Sequence, residues 1–486
     1  MEHQHQHQQA RHWIGGEWAD SETPGSPSTN PATGETIGSY TDGDQAVAES
    51  AIQAAVHAFE HSEWRDNAMH RATALHRLAD AYEARTDDLI DTLCLENGKL
   101  RGQAAYEVHF IPRALRFAAG LALQSFGRVT EAKPGQQTMA IRQPVGVAGI
   151  ITPWNSPAYL SVRSLAPALA AGCAAVVKMP AQAAQTARVM SEILAGVEEL
   201  PRGLVNVFIE SGSAGASHLV SSPQVPTISY TGSTAVGRVI LANAAASLKR
   251  VGAELGGKTP HLIFADADFD AALDTVVQSV TVFAGQFCMT GSRILVQDEI
   301  ADRFLEALAH RLDQVRPGPA SDPDSQIGPM IDKASVARVD ALVEKAITAG
   351  AKPLVRGGPA TEPALAEGAF YRPTLLEVGD SALPIVQQEV FGPVQVAQRF
   401  STEEEAVALA NATEFGLSAC VWTRDSDRPL RVARRLDAGL ISVNSWANLA
   451  VETEEGGWKS SGLGRLGGVA SLDDFTEYKQ ITQNYG

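Results

Sequence analysis

Cysteine is scarce. The 486-residue chain has four, Cys94, Cys173, Cys288 and Cys420, widely scattered and with no CxxC pair. That spacing gives no support to a zinc site or a dithiol redox motif. So few thiols in so long a chain point to a reducing compartment, the cytoplasm, rather than to a disulfide scaffold. Long apolar runs are also missing. The longest uncharged one, "LAPALAAGCAAVV" (Leu165 to Val177), falls well short of the ~20 residues a membrane span needs. The opening "MEHQHQHQQARHW" has no apolar segment behind it, so no secretory leader is expected, and His3, His5 and His7 read as a tag or a disordered arm, outside function. Basic clusters are absent too. The chain sets 39 Lys and Arg against 56 Asp and Glu, a net charge of −17, which disfavours a nucleic-acid or anionic-membrane surface.

What is present is an ordinary globular composition, 44% hydrophobic and 20% charged, in a chain long enough for two or three domains. Helical spacing covers residues 45–64, 71–97 and about 101–124, with Asn97-Gly98 stopping the second run. The period then changes. "VGVAGIITP" (145–153), "AAVVKMP" (174–180), "LVNVFIES" (204–211) and "TISYTGS" (227–233) are short apolar runs, each followed by an Ala-rich segment. Strands apolar on both faces that alternate with helices predict a parallel sheet covered on both sides. A second alternation starts at "PHLIFADAD" (260–268) and runs through segments at 293–297, 371–378, 394–400, 418–423 and 439–444. The boundary between the two units falls near Gly256-Gly257. Residues 135–146 and 473–485 read as polar strands outside both units, of the kind that pair with another subunit.

Ligands of an open parallel sheet bind beyond the carboxyl ends of its strands. Thr152, Trp154 and Asn155 follow the first strand, Lys178 lies in the second, and Gly232, Ser233 and Gly237 follow the fourth. A glycine turn at a helix N-terminus suits a phosphate, although a tight strand-to-helix turn needs the same residues. Gly237 is followed by Arg238 and Val239, so this turn is not a P-loop. "AELGGKTP" ends the fifth strand at Glu254, a carboxylate too costly to bury unpaired and so expected to reach a cleft. "GQFCMTGS" sets Cys288 between Phe287 and Met289, and "QQEVFGP" sets Glu389 beside Phe391. Taken singly, each acid is as well explained by a structural partner, and Cys288 by a buried thiol.

Taken in order, PWN, a lysine, TGS, ELGGK, GQxC, EVFGP and GGxKxSGxGR resemble the aldehyde dehydrogenase superfamily over nearly the whole chain, from about Trp13 to Tyr478. The resemblance implies an α/β fold: a Rossmann-like parallel-sheet cofactor domain (1–124 and 146–255), a second α/β catalytic domain (256–455), and a small β oligomerisation element (125–145 and 456–486). It implies Cys288 as the nucleophile, Asn155 and the Cys288 N–H as oxyanion donors, and Glu254 as the base that activates water. Lys178, Gly232, Ser233, Glu389, Phe391, Trp154 and Thr152 would hold NAD, with NADP possible. Tyr159, Arg163, Phe287 and Met289 would line the pocket for a small-molecule aldehyde, in a homodimer or homotetramer without a metal.

Departures from the family pattern bear on cofactor and substrate. Many NAD-preferring relatives carry a glutamate three residues after the lysine; here that position is Ala181, and nothing there repels a 2′-phosphate. The usual proline-aromatic pair before the late GG is Glu454-Glu455, and the usual glutamate after SGxGR is Leu466. Arg163 matches an arginine that grips the substrate carboxylate in succinate semialdehyde dehydrogenases, but their second arginine corresponds to Val282. A medium-sized aliphatic or aromatic aldehyde is therefore the expected substrate, with a carboxylated semialdehyde as the alternative and Arg163 expected to pair with Glu454 or Glu455. A cysteine hydrolase would need a histidine base in a motif, and His261 is the nearest candidate. A scaffold protein would have no use for Cys288, Asn155 and Glu254 together.

Overall fold

The computed structural model describes residues 8–124 and 126–485, so the histidines at 3, 5 and 7 lie outside the described residues. Three of the six sheets among the described residues carry the architecture. The first has eight strands in the order Gly462–Leu463, Arg250–Glu254, Thr227–Thr231, Val147–Ile151, Ala174–Pro180, Val205–Glu210, His12–Ile14 and Glu17–Ala19. Its five central strands are parallel. In chain order they run 5-4-1-2-3, so the order reverses between Val147–Ile151 and Thr227–Thr231, the place where such sheets bind ligands. The N-terminal hairpin, whose strands carry Trp13 and Trp18, extends one edge antiparallel, an addition that apolar periodicity did not show.

The second sheet has seven strands in the order Lys352–Val355, Thr374–Glu377, Val394–Phe400, Arg293–Gln297, Pro260–Ile263, Ser418–Trp422 and Leu440–Val443. All are parallel except Lys352–Val355. Residues 255–259 run straight from the carboxyl end of Arg250–Glu254 to the amino end of Pro260–Ile263. The carboxyl edge of the first sheet therefore faces the amino edge of the second, and a cleft lies between them.

Two expectations are corrected. The helical run expected over 71–97 is two helices, Ala68–Ala84 and Thr86–Glu96, broken at Arg85. Asp87 and Asp88 stand in the first turn of the second helix, where its dipole favours acids. The segments 135–146 and 473–485, expected to pair across subunits, pair with each other within the chain as Gln136–Pro144 and Thr476–Asn484. Asp473–Phe475 belong to a 3-10 helix instead. With Arg128–Lys133 these two strands make the third sheet, whose outer edges are Thr476–Asn484 and Arg128–Lys133. No helix among the described residues is long and apolar enough to cross a membrane.

Helix Arg101–Ala122 packs against helices Ala68–Ala84, Thr86–Glu96 and Pro157–Ala171. Its buried stripe, Ala104, Val108, Ile111 and Leu115, is interrupted by a buried carboxylate, Glu107. Glu107 Oε2 is ion-paired to Lys99, equally buried. Its Oε1 accepts the backbone N–H groups of Ala158 (2.9 Å) and Tyr159 (3.1 Å), capping helix Pro157–Ala171 just after Asn155. Lys99 Nζ donates to Ser156 Oγ (3.0 Å) and lies 3.8 Å from the centre of the Phe283 ring. Gln103 accepts the Phe283 N–H at 3.3 Å. Phe283 and Ala284 both have φ of 53°, a left-handed conformation that costs about 1–2 kcal/mol in a residue with a side chain. Asn97 Nδ2 donates to the Trp154 carbonyl at 2.6 Å. One buried pair thus clamps the turn that carries Asn155 and the strained segment that leads to Cys288.

Breaking such a pair from one side leaves a buried charge without a partner, which costs about 3–5 kcal/mol. Urea unfolding of Lys99→Met is expected to show a loss of that order. The double variant Lys99→Met/Glu107→Leu should lose less than the sum of the two single losses, by at least about 1 kcal/mol. Additive losses would show that the two groups act separately.

Candidate active site

Four loops meet in the cleft. Residues 152–156 follow the first parallel strand, 254–257 follow the fifth, 285–289 lead into Arg293–Gln297, and 389–392 lead into Val394–Phe400. Glycine lets them approach. A Cβ on Gly257 would stand 2.4 Å from the Cys288 carbonyl oxygen, and one on Gly256 would stand 2.4 Å from Glu389 Oε2. The glycine pair of ELGGK is therefore required by the contact of its loop with both the cysteine and the glutamate loop.

Cys288, Glu254 and Arg163 line one cavity of about 590 Å³, and Asn155 stands behind it. Asn155 is buried, and its Nδ2 donates to the Gln286 carbonyl at 3.0 Å, two residues before the cysteine. The N–H of Cys288 has no acceptor among the described residues. Part of the Cys288 side chain stays open to the cavity, although it lies deep inside the molecule. Burial pushes its thiol up to about 12, with Arg163 opposing that shift, so the sulfur is protonated at neutral pH in this state. Burial likewise lifts Glu254 to about 8; Arg163 lowers it and Glu455 raises it. Glu254 Oε1 is buried with no hydrogen-bond partner. The other three cysteines are free, Cys173 and Cys420 buried and Cys94 partly so. His261 is buried in the second sheet against Trp422 Nε1 and lies outside the cavity.

On the carboxyl edge of the first sheet, Thr152 donates to the Lys178 carbonyl at 3.0 Å and so shapes the cleft through Lys178 rather than by facing it. Burial lowers the Lys178 pKa. Gly232 N–H donates to the Glu254 carbonyl at 3.0 Å, and a Cβ there would collide with the Tyr230 hydroxyl. Ser233 caps helix Thr234–Ala245 through Val236 N–H. Three neighbouring helices take carboxylates at the same end. Glu107 caps Pro157–Ala171, Glu96 caps Ala184–Ala195 through Gln185 and Thr186, and Glu210 caps Ala214–Ser221 through Gly215 and Ala216. Only Thr234–Ala245 begins without one. Glu389 is half-buried, its carboxyl lifted to about 7 by desolvation, and accepts the Gly257 N–H at 3.1 Å. Phe391, at φ 52°, meets Trp154 edge to face at 5.5 Å. Arg338, not singled out from sequence, holds this turn by donating to the Val390 carbonyl at 2.8 Å.

A lysine, a carboxylate-free helix start and a half-buried acid spaced along one cleft have the chemistry to hold phosphates and hydroxyls. "GAELGGKT" (252–259) also satisfies the letters of a P-loop. There the chain passes from strand to strand with no helix after it, and Lys258 is buried, so it cradles no phosphate.

The cavity wall is aromatic. Tyr159, Phe287 and Met289, expected from sequence, are joined by Tyr106, Phe110 and Trp446. Trp446 Nε1 donates to the Met289 carbonyl at 2.7 Å and its ring meets Phe287 edge to face. Arg163 pairs with Glu455 at 2.9 Å. Glu454, expected beside it at the tunnel mouth, is instead exposed and turned toward the Ala470 N–H. The alternation of a strand-like pair sends the two acids to opposite sides.

Residues 18–481 match the profile described as "Aldehyde dehydrogenase family". Betaine aldehyde dehydrogenase of Bacillus subtilis is 35% identical over 479 residues, covering 97% of each chain. Succinate-semialdehyde dehydrogenase [NADP(+)] of Escherichia coli is 36% identical over 476 residues, 96% of each. The crystal structure of Staphylococcus aureus betaine aldehyde dehydrogenase in complex with NAD+ superposes with a TM-score of 0.93 at 34% identity, covering 98% of this chain and 95% of that one. With the four loops and their cysteine, asparagine and glutamates in one cleft, these matches establish that the chain belongs to the aldehyde dehydrogenase family.

Proposed function

We propose that Cys288 attacks the aldehyde, that Asn155 and the Cys288 N–H hold the oxyanion, and that Glu254 is the base, with a neutral, medium-sized aliphatic or aromatic aldehyde as substrate. One observation carries the assignment of the base. Three carboxylates line the cavity; Glu107 is paired with Lys99 and Glu455 with Arg163, which leaves Glu254 free.

The Cys288 thiol gives up its proton to solvent, and its sulfur bonds to the aldehyde carbon, giving a thiohemiacetal oxyanion. Donors fixed before the reaction stabilise that charge without reorganising, which supports Asn155 Nδ2 and the free Cys288 N–H in the role. Bound NAD, or NADP, supplies the acceptor for the hydride that leaves the same carbon. The resulting thioester carbon is then attacked by water, whose proton goes to the Glu254 carboxylate; Glu254 passes that proton to the Cys288 sulfur as the carbon–sulfur bond breaks, and the carboxylic acid departs. The aromatic wall and the neutralised Arg163 support an uncharged substrate. Arg163 on the wall is the observation that favours the second reading, a carboxylated semialdehyde, the kind of substrate named for several relatives. We also read the enzyme as cytoplasmic and as a homodimer or homotetramer joined through the third sheet, where Val129, Tyr478 and Ile481 are exposed.

Glu254→Gln should give a burst of reduced cofactor and then stall at the thioester. The base-dependent rate of the wild type should be lost as pH falls through about 8, where Glu254 takes up its proton. That limb should vanish in the variant, and unchanged steady-state turnover would refute the role. Because Ala181 leaves the 2′-position uncharged, kcat/KM for NAD and NADP should differ by less than about a thousand-fold, or about 4 kcal/mol. Sedimentation at micromolar concentration should show an active species at a multiple of 51.5 kDa; a stable, active monomer would exclude the assembly.

A further inference from the structure

Arg163 is a cation on the cavity wall that already holds a counter-ion. Nη1 donates to Glu455 Oε1 at 2.9 Å and Nη2 to Thr231 Oγ1 at 3.1 Å, and only the buried Nε has no partner. Glu455 is held as firmly. Its N–H donates to the Leu466 carbonyl at 2.7 Å, and its carbonyl accepts the Leu466 N–H at 2.9 Å. This antiparallel bridge points the Glu455 side chain into the molecule, where it is 9% exposed, and turns Glu454 out. Leu466 supplies an apolar neighbour at that bridge, so Glu455 is the acid hydrogen-bonded to the guanidinium, with Glu254 acting on it only through the field.

We propose that Glu455 is the specificity-determining residue of this cavity: a built-in carboxylate that occupies Arg163 and so excludes aldehydes that carry a carboxylate of their own. The inference rests on the substrate reading above and extends it to a single residue. A substrate carboxylate that entered would leave water and share one guanidinium with a like charge at hydrogen-bond distance, an arrangement in which both anions resist ionisation. An uncharged aldehyde meets no such obstacle, because the arginine and the glutamate sum to zero. Glutamine at position 455 would keep the shape and a neutral acceptor for Nη1 but remove the charge. Arg163 would then lose the carboxylate it is hydrogen-bonded to, and the carboxylate of a semialdehyde would supply one in the fork geometry guanidinium favours.

The test measures kcat/KM for matched pairs that differ in one carboxylate, butanal with succinate semialdehyde and benzaldehyde with 4-carboxybenzaldehyde. Wild type, Glu455→Gln and Glu455→Gln/Arg163→Leu are compared. The carboxylated-to-neutral ratio should be below about 0.1 in the wild type, rise at least about tenfold in Glu455→Gln, and fall back in the double variant. A ratio that favours the neutral member in the wild type but does not move in Glu455→Gln overturns the inference and leaves the substrate reading standing. A wild-type ratio above one overturns both. A further measurement on the wild type alone remains decisive where the variant fails to fold: succinate added to the benzaldehyde assay should not compete, and competitive inhibition at about millimolar concentration would mean that Arg163 is open to a carboxylate.

Discussion

The buried ion pair of Lys99 and Glu107 is the constraint on which the rest of the site depends. A charge pair removed from water is a poor source of stability and a strong source of geometry, because its geometry must stay close to ideal for the charges to be tolerated at all. Here that requirement is passed to two places at once. Glu107 fixes the start of helix Pro157–Ala171, and with it the turn that presents Asn155, while Lys99 holds Ser156 and the face of Phe283. The left-handed residues 283 and 284 persist because helix Arg101–Ala122 holds them through Gln103 as well. The two donors proposed for the oxyanion lie on two segments, and this helix is the common element that positions both.

The cleft follows from chain direction. Residues 255–259 join the end of one parallel sheet to the beginning of another, so the two edges confront each other without any further device. Backbone approach across that junction is close enough that the glycines at 256 and 257 have no room for a methyl group. The same enclosure that shuts out bulk water raises the pKa of Glu254 and Cys288 together. Both groups are neutral at rest, and the low-dielectric setting that makes their charges costly also strengthens each hydrogen bond offered to a charge formed during reaction.

Much of this was legible in the sequence, and the reasons it stopped are physical. The parallel strands of the first sheet announced themselves as two-faced apolar runs, and the polar residues at their ends marked the carboxyl edge. The motif order brought Cys288, Asn155, Glu254 and Glu389 to attention before any geometry. Glu107 went unnoticed because its partner, eight residues away, lies outside the helix; a carboxylate interrupting the stripe 104-108-111-115 was the available signal. The break at Arg85 was hidden by continuous apolar spacing, though Thr86-Asp87-Asp88 is a helix start. Choosing between Glu454 and Glu455 required the bridge to Leu466, a contact that no local pattern encodes. The third sheet shows the same limit: two edge-like strands distant in sequence, Gln136–Pro144 and Thr476–Asn484, found each other, leaving other edges free.

Carboxylates cap three of the four helices that follow the first four parallel strands, and that arrangement determines where an anion can dock along the whole edge. At Glu96, Glu107 and Glu210 the first N–H groups of the helix are already bonded to a carboxyl oxygen and are not open to an incoming phosphate. The start of Thr234–Ala245 is left as the single vacancy. The register of a long polyanionic ligand is then imposed less by what attracts it than by every neighbouring socket being already filled, which makes its placement insensitive to how strongly the one open socket binds.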